Sequence, residues 1–262
     1  MCAMIAMAVH DTVENKRTEL TKRTLDCLFK TVLSKHRIFV IDNGSCMQTK
    51  QFLKSIRVKD RITLITNEEN IGTAEAINLA WKQKEQGENC IKIDNDVIIH
   101  SNTWVEEMEE AIERDPEIGI VGLKRKDIWE EPKSKHGELY NSELYMLPHE
   151  PYQRWIVAER VRHVIGTCQM YNAKLLEKIG YLYQPTLYGF DDVLAAFRCN
   201  YAGMKSVFLP HINIDHIDVG GDAYSDWKRA ECGKAVDEIN KINAEYQSGR
   251  RPIYYEGNFG SK

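Results

Sequence analysis

The first 115 residues repeat one pattern, a short β-type apolar run followed by a helix-type segment, and this repetition constrains the fold more than any other feature. "AMIAMAV" (3–9) precedes a charged, helix-compatible stretch to about residue 35, and "RIFVIDNGS" (37–45) precedes a second helix. "RITLITN" (61–67) leads into "GTAEAINLAWKQKEQG", where Ala74, Ile77, Ala80 and Trp81 share one helical face. "NCIKIDNDV" (89–97) reads as a buried strand. After it Thr103 and Glu106 have capping-box spacing, and Trp104, Met108 and Ile112 form a stripe ending at Asp115-Pro116. Such alternation predicts an α/β fold with a mostly parallel central sheet and helices on both faces. Ligands of such sheets bind at the carboxyl ends of the strands. Asp42, Asp94 and Asp96 stand where predicted strands stop.

The pattern lapses from 124 to about 162, a stretch with three prolines and several Trp and Tyr residues. Length without periodicity marks a candidate acceptor-binding region. Order returns with "HVIGTCQMYNAKLLEKIG" (163–180), a strand and a helix closed by Gly180. "YGFDDVLAAFRCNYAG" follows as an acidic-ended helix, and "KSVFLPHINIDH" (205–216) as a last strand. Trp227, Ala230, Val236, Ile239, Ile242 and Tyr246 recur at helical intervals and predict a helix packed back on the domain. The tail from 248 reads as loose. The expected organisation is one domain over 1–262, with a nucleotide-binding half (1–100), an acceptor half (101–218), and a lid, helix and tail (219–262).

Charge and cysteine content narrow the partners. A net charge of -4 and a pI near 6.1 leave no general footprint for nucleic acid or anionic membrane. The one dense basic run, "LKRK" (123–126), has acids close behind it and reads as a solvated loop. Seven scattered cysteines without a CxxC pair fit reduced thiols and a cytoplasmic location. "MCAMIAMAV" lacks a basic n-region and reads as a buried strand rather than a signal peptide. No apolar run approaches the roughly 20 residues of a membrane span, so any membrane contact is expected to be peripheral.

Chemistry concentrates at a few polar stretches. Asp94 and Asp96 lie two apart, a spacing that puts both on one side of a strand, and hard divalent cations use one or two carboxylates plus substrate phosphates. Alone, D-x-D equally describes a polar turn. Asp42 in "VIDNGS" could accept from a ribose or base, or simply form an Asp-Asn-Gly turn. Asn70 and Gly72 begin a helix whose free N–H groups suit a nucleotide. Asp191 and Asp192 open another helix, as dipole-favouring caps or as reactive acids, and His216 follows a strand in "NIDH".

The order of these stretches along one chain resembles the family 2 inverting glycosyltransferases of GT-A fold, over residues 3 to about 218. The resemblance implies that Asp42 contacts the uracil or ribose of a nucleotide sugar, and that Asn70, Gly72 and Thr73 border the nucleotide. Ala8 and His10 at the end of the first strand, and Asn95, fall at further donor contacts. Asp94 and Asp96 would be the D-x-D motif holding Mn²⁺ or Mg²⁺, with His216 completing the metal site and Asp96 as the direct contact. Gly166 to Cys168 would line the donor sugar. Asp192 matches the catalytic base, and Asp191 is its neighbour in the acid pair. The sequence departs from the pattern at "AVHDT" where Thr-Tyr-Asn is usual, at Ile77 where Arg is common, at Asp191 in place of Glu, and at Leu194.

The implied reaction moves a sugar, from a UDP-sugar in the first instance, to a hydroxyl of a glycan, lipid-linked or other acceptor. "IDVGGDAYSDWKRAE" reads as a lid with Tyr224 and Lys228 as phosphate contacts, or as a plain loop into the last helix. A nucleotidyltransferase or a Rossmann dehydrogenase would need a glycine-rich loop after the first strand, where "AMAVHDTVENK" has no glycine. A silent nucleotide-sugar or glycan binding module is the non-enzymatic alternative.

Overall fold

A computed structural model describes residues 2–57, 62–129, 142–218, 220 and 223–259. A 10-stranded sheet runs through it in the order β3-β2-β1-β4-β9-β6-β10-β8-β7, with β5 paired to β10. The strands are β1 (Met4–Val9), β2 (Arg37–Asn43), β3 (Thr63–Asn67), β4 (Cys90–Ile93), β5 (Val97–Ile99), β6 (Ile118–Arg125), β7 (Glu143–Met146), β8 (Val157–Val161), β9 (Cys168–Tyr171) and β10 (Lys205–His216). β3, β2, β1 and β4 pair in parallel, as the alternation predicts. β9 then enters antiparallel between β4 and β6.

Alternate residues of β1 explain the two layers. Ile5 and Met7 face a core shared with Leu25 and Leu28 of α1 (Thr18–Thr31), Leu53 of α2 (Met47–Arg57) and Trp104 and Met108 of α4 (Trp104–Arg114). Met4 and Ala6 face the opposite core, with Ala74 and Ile77 of α3 (Thr73–Trp81) and, after the short α5 (Lys126–Trp129), Leu175 of α6 (Ala173–Ile179) and Ala195 of α7 (Asp191–Tyr201). Period-two strand geometry gives the sheet apolar side chains on both faces. Each fully buried Leu or Ile contributes about 1.5–3 kcal/mol.

Several expectations are corrected. The run 89–97 is not one strand: β4 ends at Ile93, and Asp94–Asp96 turn the chain into β5, whose Val97 pairs with His216. Thr103 makes no capping bond to the α4 backbone; its Oγ1 donates to Glu107 Oε1 at 2.7 Å, and Glu106 is held by His36 at 2.8 Å. In α8 (Ala223–Gln247) Ile239, Ile242 and Tyr246 pack on Leu194, whereas Val236 is 49% exposed and Ala235 takes the buried position.

Nor is the described part of the tail, to residue 259, loose. Tyr255 forms a bridge with Gly180, its N–H donating to Ile179 O and its carbonyl accepting from Tyr181 N–H, both at 2.9 Å. Its hydroxyl donates to Glu75 at 2.7 Å. Gly180 has φ 69°, and a Cβ there would lie 2.1 Å from the Tyr255 carbonyl oxygen, so the position admits only glycine. Among the described residues no helix is long and apolar enough to cross a membrane.

Candidate active site

The carboxyl ends of β1 and β4 open into a cleft of about 170 Å³ that also receives the first turn of α7 and the start of α8. Its acids run from Asp96 at one end to Asp191 and Asp192 at the other, with Asp94 between, its Oδ1 3.9 Å from the Lys92 Nζ that also holds Asp191. Asp94 N–H donates to Thr167 O at 3.0 Å, fixing the turn that carries the D-x-D. Burial, together with repulsion from Asp96 and Asp191, pushes the Asp94 carboxyl up to about 6 against the pull of Lys92. Asp96 is buried, and its Oδ2 is paired with the Arg17 guanidinium and lies 3.3 Å from His216 Nε2. Burial opposes its ionisation, but His216, Arg17 and Lys228 prevail and hold it well below the usual carboxylate range. Its Oδ1 is buried with no hydrogen-bond partner among the described residues.

Arg17 also donates to Asp218 at 2.6 Å and lies 4.9 Å over the Tyr224 ring. Lys228 sits 4.5 Å over the same ring and 3.4 Å from Asp218. Two cations from opposite ends of the chain thus converge on the acids behind the D-x-D.

At the other end α7 starts with its two acids in different surroundings. Lys92 of β4 is buried, and its Nζ donates to Asp191 Oδ2 at 2.7 Å. Burial would discharge such an amine, but Asp191, Asp94 and Asp192 keep it charged. Asp192 reaches the cleft: its Oδ2 accepts the Gly166 N–H at 2.8 Å and lies 3.0 Å from His163 Nε2, and its Oδ1 accepts the Val193 N–H at 2.8 Å. A Cβ on Gly166 would meet Lys92 Nζ at 2.8 Å and Asp192 Oδ2 at 3.2 Å, so glycine there lets the two charges approach.

Most of the residues singled out in the sequence line this cleft: Ala8, His10, Asn70, Thr73, Asp94, Asn95, Asp96, Gly166, Asp191, Asp192, His216, Tyr224 and Lys228. Asp42 and Gly72 do not. Asp42 is buried, and its Oδ1 accepts the Ser45 N–H at 2.9 Å, the bond of an Asp-Asn-Gly turn. The N–H groups of Gly72 and Ala74 are not free for a nucleotide, since they donate to Asn70 Oδ1 and Gln184 Oε1, both at 3.0 Å. Cys168 is wholly buried, and Thr167 lines the cleft in its place.

Among the described residues of the 124–162 region only Arg125 borders the cleft; residues 142–162 include the β7–β8 edge hairpin, and 130–141 lie outside the described residues. Positions 219, 221 and 222 of the expected lid also lie outside them.

Arg17, Lys92, Arg125, Tyr188, Trp227 and His163 were not legible as site residues. Lys92 had a signal, being a charge in a buried run two residues before Asp94 and hence on its face. Arg17 was hidden in a solvated-looking charged stretch, and His163 had no motif around it.

Glycosyl transferase family 2 matches residues 14–180, more than half of the chain. The chain belongs to this family. It is a glycosyltransferase, and solved structures show its fold to be GT-A. A mannosyltransferase from Pyrobaculum calidifontis, in complex with GDP-Man and Mn²⁺, superposes with a TM-score of 0.65 at 17% identity, over 94% of this chain and 68% of its own. Residues 1–349 of S. aureus TarS give 0.64 at 16%, over 98% and 67%. GalNAc-T7 with UDP, GalNAc and Mn²⁺ gives 0.61 at 16%, over 83% of this chain but 43% of its own. No curated protein matches the sequence.

Proposed function

We propose that this glycosyltransferase moves a sugar from a nucleotide-sugar donor, UDP-linked in the first instance, to an acceptor hydroxyl with inversion at the anomeric carbon. The observation that carries the reading is the split of the acid pair: both line the cleft, but Lys92 takes up Asp191 at 2.7 Å, while Asp192 has no such ammonium partner among the described residues and is the more open of the two. A single displacement needs one base on the acceptor side, and Asp192 is the carboxylate available there. The acceptor oxygen forms its bond to the anomeric carbon as its proton passes to Asp192, and the bond to the diphosphate breaks with its electron pair on the leaving group.

The residues at the opposite end suit a divalent cation. Among the described residues no cluster of three or more His, Cys, Asp or Glu side chains is arranged as a metal site. The unpartnered Asp96 Oδ1 and the nearby His216 nevertheless supply the oxygen and imidazole donors that Mn²⁺ or Mg²⁺ accepts, with Asp94 alongside. Bound there, the ion would neutralise charge on the departing diphosphate. Arg17 and Lys228 already supply positive charge at that end, so part of the diphosphate's field falls to the chain itself.

The cleft is smaller than the ~300 Å³ at the lower end of small-ligand pockets. On this reading the donor enters with a change in the cleft wall, and Tyr224 and Lys228 of the expected lid are part of that wall.

Thermal melting with UDP, GDP and CMP, each with and without Mn²⁺, tests donor and metal together. A ligand at 100 times its Kd adds about 2.7 kcal/mol. The largest shift is expected with UDP plus Mn²⁺; equal curves for every nucleotide would defeat the reading. Proton NMR of the transfer product tests inversion, which a retained anomer would contradict.

A further inference from the structure

Asp192 is an unusually constrained base. Both of its oxygens already accept backbone N–H groups, from Gly166 and Val193, at 2.8 Å. The His163 ring approaches the same Oδ2 that Gly166 holds, at 3.0 Å. His163 lies in the 162–167 connection between β8 and β9, so the contact ties that connection to the first turn of α7. We propose that His163 is the positioning residue of the base: its ring aims the Asp192 carboxylate, and its charge state decides whether that carboxylate can take the acceptor proton. The inference rests on the assignment of Asp192 as base.

The charges around the ring define the device. Asp191 and Asp192 face it from α7 and Lys92 from β4. Burial favours the neutral imidazole, but Asp192 chiefly, then Asp191, outweigh it and raise the His163 ionisation above its ordinary value, with Lys92 opposing. Burial likewise opposes the Asp192 carboxylate, yet His163, Lys92 and the Gly166 N–H hold it well below the usual range. A charged ring therefore leaves Asp192 a weak proton acceptor. When the ring loses its proton, Nε2 stays beside Oδ2, 3.0 Å away, while the positive charge that depressed the carboxylate is gone. The acceptor proton then moves to Asp192 as the new C–O bond forms and the diphosphate departs. Activity should accordingly rise with pH through the His163 transition rather than through a carboxylate transition.

Two measurements on the full chain decide it. Ring ¹H–¹⁵N spectra without metal follow the imidazoles, with the His163 signal identified by its loss in His163→Gln. Its titration is expected above the ordinary imidazole value in the wild type and displaced downward in Asp192→Asn. A titration that ignores Asp192→Asn overturns the proposal, and this measurement needs no knowledge of the acceptor.

The second measurement is UDP release from a UDP-sugar, with water as acceptor and Mn²⁺ present, as a function of pH. His163→Gln cannot charge, so it should lose the alkaline rise and keep the high-pH rate at lower pH, about tenfold above wild type one pH unit below the His163 transition, at unchanged donor KM. Superimposable profiles for His163→Gln and wild type would overturn the role of His163. Full activity in Asp192→Asn would instead remove the base assignment, which separates the two failures.

Discussion

The two ends of the cleft hold their acids by different means. Asp96 is neutralised by His216 at the end of β10 and by long side chains from outside the sheet, Arg17 just before α1 and Lys228 in α8, with Asp218 and Tyr224 completing a contact between them. Asp191 and Asp192 are held by Lys92 of the central strand β4, by a backbone N–H and by a short connection threaded against the sheet. On the proposed function, one end is built for exchange, where an incoming cation and diphosphate would replace resident charges. The other is built for fixed geometry, where a base displaced by 1 Å loses much of its value.

The largest effect should fall on chemistry at the fixed end. Asp192→Asn is expected to lower transfer about 10²- to 10⁴-fold while UDP still binds, measured by UDP release and melting side by side. Preserved activity would show that the two ends do not divide base from donor grip.

Next comes stability. Lys92→Met strands Asp191 in a buried wall, and removing one partner of a buried pair costs about 3–5 kcal/mol, read from urea unfolding. A cost below about 1 kcal/mol, the range of exposed pairs, would mean that water reaches the fixed end as freely as the other.

The smallest effect sharpens the contrast. In Arg17→Gln the guanidinium no longer competes for Asp96, so Mn²⁺ without nucleotide should bind about tenfold tighter, equivalent to ~1.4 kcal/mol. Water-proton relaxation would measure it. Weaker binding would make Arg17 a support of the site rather than a competitor.

The same contrast explains what could be read from sequence. The D-x-D, the acid pair and His216 were legible because each stands where a run of periodic apolar residues stops, and the parallel half of the sheet was legible because its contacts join successive elements. Partners supplied across long separations were not: Arg17 meets Asp218, Lys92 meets Asp191, and Gly180 meets Tyr255. Asp42 stands at a strand end like the others, and one of its oxygens accepts the Ser45 N–H of the adjacent turn. Thr103 and Glu106 had the right spacing for a capping box, but His36 offered Glu106 a tertiary partner.

The insertion of β9 between β4 and β6 has a consequence for synthesis on the ribosome. β4 pairs with β1 as soon as both have emerged, but its other edge stays open until Cys168–Tyr171 arrive. At ~5–20 residues per second, the ~75 residues between Ile93 and Cys168 take roughly 4–15 s. During that interval "CIKI" is an unpaired, apolar edge, the kind of template on which nascent chains join one another. Lys92 stands in the middle of it, with its eventual partner Asp191 still untranslated. The ammonium that later silences one acid of the cleft thus first serves as a gatekeeper, making the bare edge costly for another chain to cover.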